Sequence, residues 1–250
     1  MLETRDVTIR FGGLTAVDHV NITVRDHQVT GLIGPNGAGK TTFFNCISGV
    51  YTPNEGTIIY DGRHIEGKQP WQICEAGISR TYQIINLFWK MSALENIMVG
   101  MHSHLKSSFM SDLFRTPAMR REQREAKEQA YEWLRFVGLE QYANEPAGAL
   151  SYGGQRLLEI VRALASGCKL LLLDEPVAGM NTTEKREFDE LVQRILQKDV
   201  TVLMIEHDME LVMGVCDYLY VLENGKLLAE GTADAVQNNP DVIRAYLGGE

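Results

Sequence analysis

Apolar and polar residues alternate roughly through 4–10 and 20–25, as in Val7, Ile9 and Ile22, Val24, which predicts two antiparallel strands. Residues Gly56–Asp61 form a further short β stretch that begins and ends in turn residues. Between them, Val29-Thr-Gly-Leu-Ile has a buried-strand pattern and runs straight into a glycine loop at Gly34. A helix from about Lys40 to Ser48 follows and stops at Gly49. From Leu170 the pattern alternates again: strand 170–174, helix 183–197, strand 200–206, helix 208–214, strand 218–222. Asn224-Gly225 separates Tyr220-Val-Leu222 from Leu227-Leu-Ala229, a hairpin signal, because both central residues of a type I′ turn need positive φ. One or two short helices close the chain. The middle, about 84–160, differs. Residues 120–137 are rich in Arg, Glu, Lys, Gln and Ala, with Ala126, Ala130, Trp133, Leu134 and Val137 at helical spacing, as in a helical insertion. The stretch 102–118 is weaker, with Pro117 breaking it.

Length and composition narrow this picture. At 250 residues the chain is a large single domain, or one domain with an insertion. A net charge of −9 argues against a nucleic-acid partner, which usually meets a basic surface. Cys46, Cys74, Cys168 and Cys216 are widely spaced and read as buried thiols of a reducing compartment. The N-terminus lacks a cationic start followed by an apolar core, so no signal peptide is expected. The longest obvious apolar run, Leu170–Leu173, is of strand length, so any membrane role is expected to be peripheral.

The chemistry begins at Gly34-Pro35-Asn36-Gly37-Ala38-Gly39-Lys40-Thr41, a G-x-x-x-x-G-K-[ST] loop after an apolar strand and ahead of a helix. Glycines let backbone N–H groups close around phosphate oxygens, and the helix N-terminus adds a positive field. Lys40 then supplies a charge to the β and γ phosphates, and the Thr41 hydroxyl can ligate Mg²⁺. Leu170-Leu-Leu-Leu-Asp174-Glu175 delivers two acids to the ligand edge of an α/β sheet. Asp174 suits the Mg²⁺ shell, and Glu175, pointing the other way, can orient or deprotonate an attacking water. Val202-Leu-Met-Ile-Glu-His207 repeats the logic one strand later, so His207 can reach a γ-phosphate. His102 and His104 lie in a polar stretch and read as solvent-exposed. A second glycine loop, Leu150-Ser151-Tyr152-Gly153-Gly154, precedes a helix-like apolar run but carries no lysine.

These motifs, in this order, resemble the ATP-binding cassette (ABC) ATPases over essentially the whole chain. The resemblance implies an α/β fold: a phosphate-loop NTPase core with a mixed sheet, an N-terminal antiparallel β subdomain and an inserted α-helical subdomain. It places the core in 1–83 and 165–250 and the helical subdomain with its signature loop in 84–164. In that family the second glycine loop closes over ATP held by a partner subunit, so Ser151 and Gly153 are expected to touch phosphate in trans. Counted from Arg162-Ala-Leu, the L-S-G-G-Q signature falls on Leu150–Gly154, so Tyr152 replaces a glycine and Gly154 the glutamine, for which Gln155 is a substitute. Phe11, in Arg10-Phe-Gly-Gly, matches the aromatic that stacks on adenine, and Gln83, in Arg80-Thr-Tyr-Gln, the glutamine that reaches Mg²⁺ and the water. Thr42 completes the nucleotide loop, and Asn181 stands where many cassettes carry an aspartate at the dimer seam.

Within the family, Phe11-Gly-Gly-Leu-Thr-Ala-Val, Leu150-Ser-Tyr-Gly, Glu206-His-Asp-Met and Asn239-Pro-Asp-Val-Ile-Arg-Ala-Tyr-Leu-Gly are similar to the ATP-binding subunits of branched-chain amino acid importers. The implied cofactors are ATP and Mg²⁺. The implied partners are a second cassette (the same chain or a paralogue), integral-membrane permeases and, indirectly, a periplasmic solute-binding protein. The implied place is the cytoplasmic face of the inner membrane. Ile84–Glu95 is expected to expose an apolar patch where a permease docks. Related cassettes for urea or amide import, lipopolysaccharide export or soluble cofactor assembly are the alternatives, with a plain phosphotransferase further off.

Overall fold

The structure is a computed structural model that describes residues 1–101 and 117–247. Among these residues the strands form two sheets. β1 (Leu2–Phe11), β2 (Leu14–Val24), β4 (Glu55–Tyr60) and β5 (Arg63–His64) make an antiparallel sheet in the order β2-β1-β4-β5. The second sheet runs β10-β9-β3-β8-β7-β6, built from β3 (Val29–Ile33), β6 (Ile78–Arg80), β7 (Leu170–Asp174), β8 (Thr201–Ile205), β9 (Tyr218–Glu223) and β10 (Lys226–Gly231). All its pairings are parallel except β9 with β10. The chain is therefore α/β with a mixed sheet, as the family resemblance implies.

The parallel strands β3, β7 and β8 are buried at every residue, as strands covered on both faces must be. That explains their unbroken apolar spelling. β1 and β2 are longer than the alternation suggests and join through Gly12-Gly13, which puts Phe11 at the hairpin tip. Tyr220 joins the two sheets: its hydroxyl accepts from Thr23 N at 2.9 Å and donates to Thr23 O at 3.1 Å. Helix α1 (Lys40–Ile47) buries Phe43, Phe44, Cys46 and Ile47 in the core that both sheets share.

Residues Met1–Gln83 with Lys169–Glu250 form one compact unit, and Ile84–Cys168 form another. In the second, α3 (Ala93–Gly100) packs on α4 (Pro117–Phe136) and α5 (Tyr152–Leu164). Its interior holds Ile97, Ala126, Ala130, Leu134, Leu158 and Val161, together with a fully buried Arg156–Glu159 pair at 2.8 Å. Pro117, expected to break the stretch 102–118, is the first residue of α4, where a missing N–H costs nothing because the first-turn donors have no helical acceptor; residues 102–116 lie outside the described residues. α2 (Pro70–Glu75), β5 and β6 left no sequence signal, being too short for a period to register. His102, His104 and Gly248 lie outside the described residues. The remaining helices are α6 (Thr182–Leu196), α7 (Met209–Val215), α8 (Ala233–Gln237) and α9 (Pro240–Leu247). Among the described residues no helix is long and apolar enough to cross a membrane.

Candidate functional site: a phosphate loop and its acids at one sheet edge

Parallel pairing brings the C-terminal ends of β3, β8 and β7 to one edge. The phosphate loop leaves β3 there, Asp174 and Glu175 end β7, and Glu206 and His207 follow β8. Loop geometry depends on glycine. Gly34, Gly37 and Gly39 have φ of 145°, 80° and 97°. A Cβ on Gly34 would lie 2.1 Å from the Leu222 carbonyl, and one on Gly39 would lie 2.3 Å from that of Ala16. We expect Gly34→Ala to destabilise the chain by about 1–3 kcal/mol from backbone strain alone. At this size that lowers Tm by roughly 2–4 °C per kcal/mol, which differential scanning calorimetry reads directly.

The Asn224-Gly225 turn has the positive φ values its sequence demands, 49° and 81°. It also supports the loop: Gly225 N donates to Ala38 O at 3.1 Å, and Gly225 O accepts from Asp18 N at 2.8 Å. Helix α1 starts on Gly39 with no side-chain cap and no acid in its first turn. Its first N–H groups are thus left to an outside acceptor. Lys40 is 8% exposed, and its Nζ donates to Gly34 O at 2.6 Å and Pro35 O at 2.9 Å. Burial pulls its pKa below the usual lysine range, against the opposing pull of Glu175 and Asp174. Thr41 is exposed and Thr42 half-buried.

The two acids of β7 part company. Asp174 is buried and ion-paired to Arg80, Nη2 to Oδ2, at 2.7 Å. Glu175 turns towards the cleft, but strand alternation is not the reason. Its φ of 48° ends the strand in a left-handed turn, pinned by Glu175 N donating to Ile205 O at 2.9 Å. Its Oε2 accepts from Gln83 Nε2 at 2.9 Å, and its Oε1 lies 3.9 Å from His207 Nδ1. His207 is largely exposed. Glu206, not singled out from the sequence, is fully buried and accepts from the N–H groups of Val177, His207 and Asp208. Burial raises its pKa and these bonds oppose the rise.

Phe11, Ala38, Lys40, Thr41, Gln83, Glu175 and Asn224 share one open cleft of about 550 Å³, with Asn36, Gly37, Gly39 and Thr42 on the same wall. Phe11 is half-exposed and meets Tyr51 edge-on, with centroids 5.3 Å apart. The sequence reading missed Tyr51, which carries no motif.

In the helical unit, Ser151 caps α5, accepting from Gly154 N at 3.2 Å. Gly153 lies in the first turn and Tyr152 is exposed. A Cβ on Gly154 would sit 3.3 Å from Ser151 Oγ, so a glutamine there would crowd the cap. Gln155, the expected substitute, donates its side-chain amide to Leu150 O at 2.8 Å. Asn181 caps α6 through Thr183 N and Glu184 N. The Ile84–Glu95 stretch divides its apolar residues. Ile85, Leu87, Ala93 and Leu94 are buried, while Ile84 is 83% exposed and Phe88 and Trp89 are nearly half exposed. Buried Asn96 fixes that loop by accepting from Phe88 N and donating to Phe88 O and Ser92 O.

Comparison with known proteins identifies the family. Residues 17–178 match the ABC transporter family model, and residues 226–250 match the model described as branched-chain amino acid ATP-binding cassette transporter. The chain is 48% identical to the high-affinity branched-chain amino acid transport ATP-binding protein BraF of Pseudomonas aeruginosa, over 99% of this chain and 98% of that one. It is 37% identical to the probable branched-chain amino acid transport ATP-binding protein LivG of Archaeoglobus fulgidus, over 100% of this chain and 96% of that one. A crystal structure of the ADP conformation of an ATP-binding cassette of an ABC transporter superposes with a TM-score of 0.86 at 33% identity, covering 100% of this chain and 99% of that one. The chain belongs to the ABC transporter family of ATP-binding cassettes, and it is a nucleotide-binding ATPase of that family.

Proposed function

We propose that this cassette binds and hydrolyses Mg-ATP to drive an importer of branched-chain amino acids. The observation that carries the nucleotide half is the uncapped start of α1 in the same cleft as Lys40, Gln83 and Glu175. The solute half rests on the named relatives. The residues fit Mg²⁺: the Thr41 hydroxyl, Gln83 amide and Asp174 carboxylate are the oxygen donors a hard cation takes. When bound, Mg²⁺ supplies charge neutralisation across the β and γ phosphates. The loop N–H groups and Lys40 hold the phosphates, with Pro35, Asn36, Gly37, Ala38 and Thr42 shaping the cradle. Glu175, held by Gln83, orients and deprotonates the attacking water, and exposed His207 reaches the γ-phosphate.

Phe11 stacks on adenine, with Tyr51 edge-on behind it. Stacking of this kind is worth about 1–3 kcal/mol. Phe11→Ala should therefore weaken ATP binding about 5- to 150-fold by calorimetry, at roughly tenfold per 1.4 kcal/mol. Inorganic triphosphate should bind as before; an equal loss for both ligands would remove the adenine contact.

Ser151 and Gly153 touch the ATP of a second cassette, the same chain or a paralogue. Exposed Ile84, Phe88 and Trp89 dock an integral-membrane permease at the cytoplasmic face of the membrane, with a periplasmic solute-binding protein acting beyond it. Deleting the gene should abolish uptake of radiolabelled leucine by whole cells, and Lys40→Ala in its place should not restore it. Undiminished uptake would move the solute assignment to another substrate.

A further inference from the structure

Arg80 joins the separate parts of this site, and no role above uses it. It ends β6 just before the Gln83 loop, and its side chain is 5% exposed beside an Asp174 side chain at 3%. Nη2 donates to Asp174 Oδ2 at 2.7 Å. Nη1 donates to Asn45 Oδ1 at 2.7 Å and to Ser48 Oγ at 2.9 Å, at the far end of the helix that Lys40 opens. The guanidinium lies 5.0 Å from the Tyr82 ring centroid and 5.6 Å from that of Phe44. One planar cation therefore ties the acid of β7, the helix behind the phosphate loop and the residue preceding Gln83.

Stability alone does not explain this arrangement. Desolvating both members of a buried ion pair offsets most of their attraction, so apolar packing would serve as well. A guanidinium fork, unlike a lysine, bonds in two directions at once and stacks on rings. We propose that Arg80 is a positioning residue for the metal–nucleotide complex: by holding Asp174 through Oδ2 it turns the other carboxylate oxygen to the metal's water shell. The inference rests on Asp174 being the metal acid. Partners that orient a metal's acid are typically worth about 10- to 100-fold in metal affinity.

The test is binding of mant-ATP by the purified full chain, read by fluorescence during Mg²⁺ titration and again in EDTA. Arg80→Gln should need roughly tenfold more Mg²⁺ or higher for half-saturation. Its mant-ATP affinity in EDTA should match wild type. Arg80→Lys, which keeps the charge but not the fork, should shift the midpoint less, and it carries the test if Arg80→Gln does not fold. A wild-type midpoint in the folded variants overturns the proposal. So does tighter Mg²⁺, which would make Arg80 a competing charge, and so does an equal loss in EDTA, which would make it a structural residue. Asp174→Asn separates the two readings. If its Mg²⁺ response is unchanged, the metal acid is misassigned; if it shifts and Arg80→Gln does not, only the Arg80 role falls.

Discussion

Lys40→Ala should remove ATP hydrolysis, lowering turnover by about 10²–10³-fold or more, as loss of a single charge-stabilising donor does elsewhere. The ammonium is the buried cation placed among the loop carbonyls of Gly34 and Pro35, with Glu175 and Asp174 near enough to oppose its loss of a proton. A hydrogen bond to a charged phosphate is worth about 1.5–3 kcal/mol net, so ATP affinity should also drop, by roughly 10- to 150-fold. Alanine also frees the two carbonyls that Nζ now holds, so the loop itself loosens. Phosphate release and calorimetric binding, taken with a thermal melt, separate these effects. Normal turnover in a folded Lys40→Ala protein would remove the phosphate-loop assignment.

Glu175→Gln should bind ATP close to normally and hydrolyse it about 10²–10⁴-fold more slowly, the range general-base catalysis contributes. Glutamine matches the shape of the carboxylate and can still bond Gln83 across the same 2.9 Å contact, after rotating its amide. It cannot take a proton from water. His207 stands 3.9 Å from Glu175 and is exposed, so His207→Ala should cost less than Glu175→Gln. An active Glu175→Gln enzyme would move the base to His207. Single-turnover phosphate release distinguishes the two.

Much of this site is legible in the sequence because its parts are local. A strand, a glycine loop and a helix follow one another from Val29 to Ile47, and four leucines deliver Asp174 and Glu175. The Asn224-Gly225 turn is likewise written in two adjacent residues. What the sequence hides is non-local. Arg80 looks like one more polar residue in Ser-Arg-Thr-Tyr-Gln, since its partners lie on α1 and at the end of β7. Glu206 reads as a companion of His207, while its carboxylate is a buried staple for three backbone donors. The hairpin tip's bond to Ala38 is also invisible, because a turn signal does not say what the turn touches. The bond of Gln155 to Leu150 O is one that only the folded cap reveals.

Closure of two cassettes over shared ATP is the step that gives the lysine-free loop at Ser151 its purpose. Light scattering of purified Glu175→Gln with ATP, with ADP and without nucleotide tests it most directly. Closure between copies of this chain predicts that the 28.1 kDa monomer doubles in mass with ATP alone. A mass that stays monomeric while ATP is demonstrably bound would contradict it.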